Sequence, residues 1–434
     1  MYLFMFQQVD EMRNQIIKDI PLSKNQSIRC EPSKVEVADA HSSDYFKILQ
    51  RFRKIRTVFI EDSMDNISDY LIPKYYDYMS NDCQMLEDRS LGGGHYGKKR
   101  YGSECRELWN ETWPGHKLSK VAIQMDLANI AENEMDRNLI LTFIHLIPQA
   151  VSFQNGDVFY GSLKISPQRC NRNLSKLCPK LPTTIQTYEE VFTISQFWGS
   201  EFYHGTLEDL PRIAPYLTFL QKHRHIRIHV AAEMKYLNLL GIDNSRLING
   251  SVIKADILYM PPGGPCGNSR FFPTQILAST IANEKNHISS NKRDVIVLIN
   301  RSKKRWFKNH KDILKMLKTH ASNLNLKVEV FDDNPLPHID KTVEMFHRAL
   351  IVIAPHGAGE VNLIFSQPGT LLIEGLCYDS NNKSNLCYRN MAQSLGQQYY
   401  GLIYPHQCME ITANQIEIPF LEFLRHFFHY IPPS

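Results

Sequence analysis

Several features that mark common classes of protein are missing from this sequence of 434 residues. No apolar run approaches the roughly 20 residues that a membrane-spanning helix needs. None of the nine cysteines forms a CxxC pair, which argues against a zinc ribbon or a thioredoxin-type site. The formal net charge of +4 is small for this length, so the composition as a whole does not favour binding to nucleic acid or to a membrane surface.

The composition is that of a globular protein, with 43% hydrophobic and 22% charged residues. The chain is too long for one ordinary domain, so two domains are expected. The strongest break is the proline- and glycine-rich stretch Pro261–Gly267. We therefore predict four segments, which are an N-terminal helix and linker (1–30), a first α/β domain (31–267), a second α/β domain (268–410) and a C-terminal helix (411–434).

Seven Asn-x-Ser/Thr triplets favour the lumen of the endoplasmic reticulum or Golgi as the compartment, and they begin at Asn25, Asn66, Asn110, Asn173, Asn249, Asn300 and Asn382. Cysteines scattered through predicted loops favour the same route. Against this, residues 1–10 do not form a signal peptide. We expect a lumenal protein whose membrane anchor, if it has one, is not in this sequence.

One glycine-rich stretch, Gly92–Lys99, comes close to a phosphate-binding loop of the G-x-x-x-x-G-K-[ST] type. The fit fails because Lys99 stands where a magnesium-binding hydroxyl is needed and no buried strand precedes the stretch. We interpret it as a flexible, basic surface loop.

From Tyr188 onward, apolar runs and amphipathic stretches alternate, which predicts α/β units with parallel strands. Ligands of such sheets bind beyond the carboxyl ends of the strands. The clearest unit is Ile351–Leu376, in which a β-branched strand leads into His356–Gly359 and a second strand leads to Glu374. A turn with so little side chain lets a phosphate approach the backbone. An unliganded tight turn would explain the same residues.

Two further clusters fall at predicted strand ends. His204 and Glu208 are four residues apart at the start of a long predicted helix and share one of its faces, with Asp209 beside them. A carboxylate next to an imidazole suits general-base chemistry, although a surface ion pair would have the same spacing. The basic stretch Asn300–Asn309 directly follows a buried strand, and arginine there could bind phosphate through two hydrogen bonds.

Together these clusters resemble glycosyltransferase family 61. The resemblance rests on Trp198–Arg212, on Asn300–Asn309, and on His356–Gly359 with Asn362, Pro368–Gly369 and Glu374. It spans roughly residues 191–404 and implies a GT-B fold, in which two Rossmann-like domains face each other across a cleft. It also implies an inverting transfer of sugar from a nucleotide-sugar donor, such as UDP-GlcNAc or UDP-xylose, to a hydroxyl of a protein or glycan.

The resemblance assigns roles by position. Glu208 would be the catalytic base, with His204 positioning the acceptor and Asp209 beside them. The donor would be bound by the following residues, which match the family's pattern: Arg301, Arg305, Asn309, His356, Gly357, Ala358, Gly359, Asn362 and Glu374. Because no Asp-x-Asp motif occurs, we expect neither a metal nor another cofactor to be required.

Three positions depart from the family's pattern, namely Glu201, the pair Glu360-Val361, and His310. Glu360 would place a negative charge near the donor diphosphate unless its side chain points away. A catalytically inactive nucleotide-sugar or glycan-binding protein of the same fold is therefore the alternative. Binding of nucleic acid through residues 303–308 would require a larger basic patch than the net charge of +4 supports.

Overall fold

The computed structural model describes residues 2–19, 35–39, 44–59, 75–79, 119–123, 143–167, 181–232, 236–263, 271–284, 292–376, 387–403 and 410–428. The stretch Gly92–Lys99 lies outside these residues, so its interpretation as a loop stays a prediction. By its internal contacts the chain divides into two units, one formed by Met1–Leu71 with Asp126–Glu284 and the other by Ile72–Met125 with Lys285–Ser434.

The described strands are, in chain order, β1 Glu36–Asp39, β2 Arg56–Phe59, β3 Tyr75–Met79, β4 Ser119–Ile123, β5 Phe143–Phe153, β6 Val158–Tyr160, β7 Leu163–Ser166, β8 Gln186–Thr193, β9 Arg227–His229, β10 Leu247–Ile248, β11 Val252–Met260, β12 Val295–Asn300, β13 Lys327–Asp332, β14 Ala349–Pro355, β15 Leu371–Leu376 and β16 Gln398–Ile403. The main helices are α1 Tyr2–Asp19, α2 Tyr45–Gln50, α3 Leu217–Lys222, α4 Phe271–Glu284, α5 His310–Ser322, α6 Ile339–His347, α7 Cys387–Ser394 and α8 Ala413–Phe428. None of the described helices is both long and apolar enough to cross a membrane.

The first unit is built on a mixed nine-stranded sheet. Its strand order is β1-β7-β6-β5-β11-β8-β9-β10, with β2 also paired to β5. The strands β11, β8, β9 and β10 run parallel, whereas β5, β6 and β7 form an antiparallel meander. This unit is therefore α/β in one half of its sheet and antiparallel in the other, which the weak sequence pattern before Tyr188 did not predict.

The helical stretch after β8 is broken, as its prolines predict. Residues 202–204 form one α-helical turn and Gly205–Asp209 a π-helical turn. Two 3₁₀ turns follow, Leu210–Arg212 and Ala214–Tyr216, each with a proline in its first positions, before α3 begins. A proline cannot donate the main-chain hydrogen bond of a continuous α-helix, so the stretch divides at these residues.

The N-terminal helix α1 is bound to the rest of the first unit by charged pairs. Arg13 Nε lies 2.8 Å from Glu190 Oε2, and Asp10 contacts Lys222 and His223. Tyr259 also donates a hydrogen bond to Glu190 at 2.7 Å. Burial alone would raise the pKa of Glu190, but its hydrogen bonds, above all to Arg13, outweigh it and lower the pKa to about 2.

The second unit has a sheet of six parallel strands in the order β13-β12-β14-β15-β16-β3, with β4 antiparallel at the edge. Counted from β12, the first five strands in this list have the doubly wound order 2-1-3-4-5. In that order the chain leaves β12 towards one side of the sheet and later returns to the other, so a crevice opens at the carboxyl ends of β12 and β14. The expected α/β fold with parallel strands is confirmed.

The centre of this sheet is fully apolar because helices cover both of its faces. Ile296, Leu298, Ile351, Ile353 and Ile373 are all buried in one core cluster. The sequence pattern is that of parallel strands buried on both faces, which lack the alternation of a half-exposed strand. The carboxyl ends of these strands are thus held by a rigid core. The domain boundaries predicted from the sequence stay predictions.

Candidate functional site

The crevice of the second unit is formed by two segments that the sequence singled out. Arg301 directly follows β12, and His356 and Gly357 directly follow β14. Arg301 Nη1 donates a hydrogen bond to the His356 carbonyl oxygen at 2.7 Å. A Cβ atom placed on Gly357 would lie only 1.8 Å from the same Nη1. The turn therefore needs glycine because the guanidinium lies directly against its backbone.

His356 is held by a buried carboxylate. Its Nδ1 lies 2.5 Å from Glu374 Oε1, and the other oxygen, Oε2, accepts a hydrogen bond from the Tyr399 hydroxyl at 2.6 Å. The ring of Tyr388 packs edge-on against the imidazole, with ring centroids 5.3 Å apart. Glu374 is completely buried, so it fixes the orientation of His356 and leaves Nε2 as the ring nitrogen that can meet a ligand.

The carboxylate of Glu360 points back beneath the turn. Its Oε2 accepts a hydrogen bond from the Gly357 amide at 2.8 Å, while Oε1 has no hydrogen-bond partner among the described residues. Burial and then the negative charge of Glu374 raise the pKa of Glu360 well above its usual range. The predicted conflict with a diphosphate is thus reduced, because the group is fully buried and its protonated form is favoured.

His356, Glu360 and Glu374 offer three ligand atoms that lie within 4.8 Å of one another, which is a spacing that a metal ion could use. All three side chains are already hydrogen-bonded, His356 with Glu374 and Glu360 with the Gly357 amide. A cation bound here would have to replace both hydrogen bonds. The same residues without a metal form a network that shapes the turn.

The other predicted donor residues surround this turn. Ala358 and Gly359 begin a 3₁₀ helix, Ala358–Phe365, whose first amides have no partner within the helix and so suit an anion. Asn362 donates a hydrogen bond to the Gly359 carbonyl at 2.9 Å, which supports this helix. Arg305 is exposed. Burial lowers the pKa of Arg301, and the positive charge of Arg305 lowers it further. Asn309 precedes α5, and its carbonyl oxygen accepts hydrogen bonds from the amides of Asp312 and Ile313 in that helix.

Acidic residues at the end of β13 organise the loop that carries Arg301. Asn300 donates to Asp332 Oδ1 at 2.7 Å, and the Ser302 amide donates to Asp333 Oδ1 at 2.8 Å. The pair Asp332-Asp333 therefore shapes the loop after β12. His310, one of the departures from the family pattern, is half-buried, and burial lowers its pKa.

The first unit places His204 and Glu208 side by side. His204 Nδ1 lies 2.9 Å from Glu208 Oε1, and the exposed fractions of the two side chains are 22% and 0%. The pair is therefore not the surface ion pair that the spacing also allowed. Glu208 belongs to the π-helical turn Gly205–Asp209, a feature often found at functional sites. Because Glu208 is fully covered, the imidazole is the member of the pair that solvent can reach.

Asp209 follows this pair in the chain and is fully buried against Gly199, where a Cβ would lie 2.3 Å from Asp209 Oδ2. Burial raises the pKa of Asp209 well above its usual range, with the charge of Glu208 adding to the effect and that of Arg212 opposing it. The predicted catalytic role of Asp209 stays a prediction.

Arg212 was quoted in the sequence pattern without a role, and the structure gives it one. Its guanidinium donates hydrogen bonds to the carbonyl oxygens of Ile194, Ser195, Pro261 and Pro262, at 2.7 to 3.4 Å. These carbonyls follow β8 and β11, so Arg212 ties together the carboxyl ends of two parallel strands. Burial lowers its pKa to about 10. Only its position eight residues after His204 could have marked it in the sequence.

A comparison with known protein families covers most of these residues. The family model described as Glycosyltransferase 61 matches residues 202–373. This match supports the assignment of the chain to glycosyltransferase family 61. The match begins just before the His204–Glu208 pair and ends just before Glu374, so it contains Arg301 and the His356–Gly359 turn. The match suggests glycosyltransferase activity, with a sugar donor and an acceptor as substrates. No curated protein matches the chain.

Proposed function

We propose that this family 61 protein is an inverting glycosyltransferase that moves a sugar from a UDP-sugar, such as UDP-GlcNAc or UDP-xylose, to a hydroxyl of a protein or glycan. The observation that carries the proposal is the placement of Arg301 against the His356–Gly357 turn, at the crevice of a doubly wound sheet. A positive side chain, helix-start amides and a glycine turn at this position suit a nucleotide diphosphate.

On the donor side, Arg301 and Arg305 would neutralise the diphosphate as the bond from the anomeric carbon to its oxygen breaks. The amides of Ala358 and Gly359 would add hydrogen bonds to the same phosphates. His356, oriented by Glu374, would present Nε2 to the donor. The resemblance expects Glu374 at the ribose or the sugar. Because Glu374 is completely buried and bound to His356 and Tyr399, we propose that it acts there through His356.

On the acceptor side, the dyad of His204 and Glu208 would take the proton of the attacking hydroxyl. The resemblance named Glu208 as the base, but its side chain is fully buried whereas that of His204 is 22% exposed. We therefore place His204 Nε2 at the hydroxyl and Glu208 at Nδ1, where its charge stabilises the protonated ring. The hydroxyl oxygen then forms a bond to the anomeric carbon. The bond from that carbon to the diphosphate oxygen breaks, and the nucleoside diphosphate leaves with the electron pair of that bond.

The GT-B arrangement, the lumenal compartment and the independence from metal are parts of the same proposal. The first is adopted from the family. The second rests on the glycosylation triplets, of which Asn249 is exposed in the structure and Asn300 is half-buried. The independence from metal rests on Arg301 and Arg305, whose positive charges would neutralise the diphosphate in place of a metal ion. Transfer should survive EDTA, and activity that is lost with EDTA and restored by manganese would refute this part.

The decisive experiment is a donor screen that measures release of UDP from a panel of UDP-sugars, with Glu208→Gln as the companion variant. We expect one UDP-sugar to be consumed, and the variant to lose transfer while UDP still binds with wild-type affinity, since Glu208 lies in the other unit from Arg301. If the wild type binds UDP but consumes no UDP-sugar, the alternative of a catalytically inactive binding protein is correct.

A rescue experiment identifies the base. If His204 takes the proton, added imidazole should restore part of the activity of His204→Ala, because a free ring can occupy the space and accept the proton. If Glu208 is the base, formate should restore Glu208→Ala and imidazole should have no effect on His204→Ala. Thermal unfolding of both variants controls for loss of folding.

A further inference from the structure

An exposed aromatic pair lies beside the dyad and has no part in the chemistry so far described. Phe197 and Trp198 are 40% and 43% exposed, and they are neighbours in the loop between β8 and the helical stretch. Tryptophan is enriched at binding interfaces, because its large ring gains by burial while its N–H can still donate a hydrogen bond. The rings contact each other edge to face, with centroids 4.7 Å apart.

The loop that carries the pair is firmly held. Ser195 and Gln196 are buried, and Gln196 Nε2 donates a hydrogen bond to the His204 carbonyl at 3.2 Å. Arg212 binds the carbonyls of Ile194 and Ser195 from below. The exposure of the two rings is thus imposed by a fixed loop, which makes them a preformed surface.

The indole also has a defined relation to the dyad. The rings of Trp198 and His204 are nearly parallel, with an angle of 29° between planes and 6.3 Å between centroids. Glu201, which is exposed, adds carboxylate oxygens to the same loop. The surface therefore combines an apolar ring face with polar groups at its edge.

We propose that Trp198 is the platform on which a sugar ring of the acceptor stacks, so that the acceptor is a glycan. A pyranose has an apolar face of C–H groups and a rim of hydroxyls, and this amphipathic shape matches an indole flanked by an imidazole and a carboxylate. Stacked on Trp198, the ring would bring a hydroxyl to His204 Nε2. This inference rests on the proposed function and specifies its acceptor; a serine or threonine of an unmodified peptide would leave the indole without a partner.

The test uses the full chain with methyl glycopyranosides and their β1,4-linked disaccharides as acceptor probes, and an unglycosylated Ser/Thr peptide for comparison. Trp198→Ala should raise the KM for the accepted sugar roughly tenfold, with kcat and acceptor-free hydrolysis of the donor unchanged. Trp198→Tyr should recover most of the loss because it restores a stacking face. Leu336→Ala, which removes an exposed apolar side chain of the other unit, is the matched control and should have no effect.

The proposal is overturned if Trp198→Ala accepts the sugar with wild-type KM, or if the unglycosylated peptide is the better acceptor and is used equally by wild type and variant. Failure of the proposed function is distinguished by saturation-transfer NMR with the same glycosides. If no donor is consumed but the glycosides bind the wild type and not Trp198→Ala, the platform is supported and the transferase is refuted. Equal signals from both proteins overturn the platform.

Discussion

The contact between Arg301 and Gly357 gives the sharpest quantitative prediction. Replacement of Gly357 by alanine would put a Cβ 1.8 Å from Nη1 and 2.3 Å from Cζ of Arg301. Non-bonded carbon and nitrogen atoms sit about 3.5 Å apart at closest comfortable contact, so the guanidinium would have to retreat by roughly 1.7 Å. Its hydrogen bond to the His356 carbonyl, now 2.7 Å, could not survive this movement.

The expected cost has two parts. Loss of the charge-assisted hydrogen bond should cost about 1.5–3 kcal/mol. The backbone of Gly357, with φ of 156° and ψ of 179°, lies in a region that glycine alone populates, which adds about 1–3 kcal/mol. The loss of the hydrogen bond depends on Arg301, whereas the backbone strain at position 357 does not. In the Arg301→Ala background, the alanine at 357 should therefore cost less by about 1.5–3 kcal/mol.

The assay is a double-mutant cycle of Gly357→Ala and Arg301→Ala, with the free energy of unfolding from urea denaturation and UDP affinity from calorimetry. UDP binding should weaken in both single variants, and the second substitution should add little to the first. The control is Gly161→Ala, where φ is 58° but no atom lies within 4 Å of the new Cβ, so only about 1 kcal/mol is expected. Additive effects in the cycle would refute the contact.

Two further predictions concern buried charged groups. Because burial raises the pKa of Glu360 above that of the unfolded chain, the folded state binds the extra proton, and this contribution to stability is lost as pH rises from the unfolded value of about 4.5. Wild type should therefore lose more stability than Glu360→Gln between pH 5 and pH 8 in urea denaturation, with a slope of up to about 1.4 kcal/mol per pH unit while the folded carboxyl stays protonated; equal slopes would contradict this. Arg212→Lys should lower the free energy of unfolding by about 2–4 kcal/mol, because lysine cannot reach four carbonyls, whereas exposed Arg224→Lys should change it by less than about 0.5 kcal/mol. A loss no larger than that of the control would show that the carbonyls do not need the guanidinium.

Much of the second unit could be predicted because its sequence is locally consistent. Apolar β-branched runs such as Val295–Asn300 and Ala349–Pro355 are buried on both faces, and the helices between them have the period of a surface helix. The candidate site residues in the loops at the strand ends could therefore be identified from the sequence, although the residues that contact them in the fold could not. The break of the helix near Pro211 and Pro215 was likewise readable, because proline acts on its own backbone.

The first unit was less predictable. The segment Phe143–Phe153 is a long apolar strand. The apolar stretch Asn138–Leu146 in the sequence did not distinguish strand from helix, since periodicity says little about a segment buried on both sides. The π-helical turn that carries Glu208 has no local signal in the sequence either. The antiparallel meander depends on pairing between distant strands, which local propensity does not encode.

The sequence by itself determined the parallel α/β pattern, the glycine turn and the types of residue at the strand ends, because each depends on backbone preference or on the period of apolar residues. The tertiary structure decided which of those residues meet. It placed Arg301 against Gly357, directed Glu360 beneath the turn, and covered Glu208 while leaving His204 and Trp198 accessible. Burial and the direction of a side chain depend on neighbours that are far away in the chain, so these decisions required the folded protein.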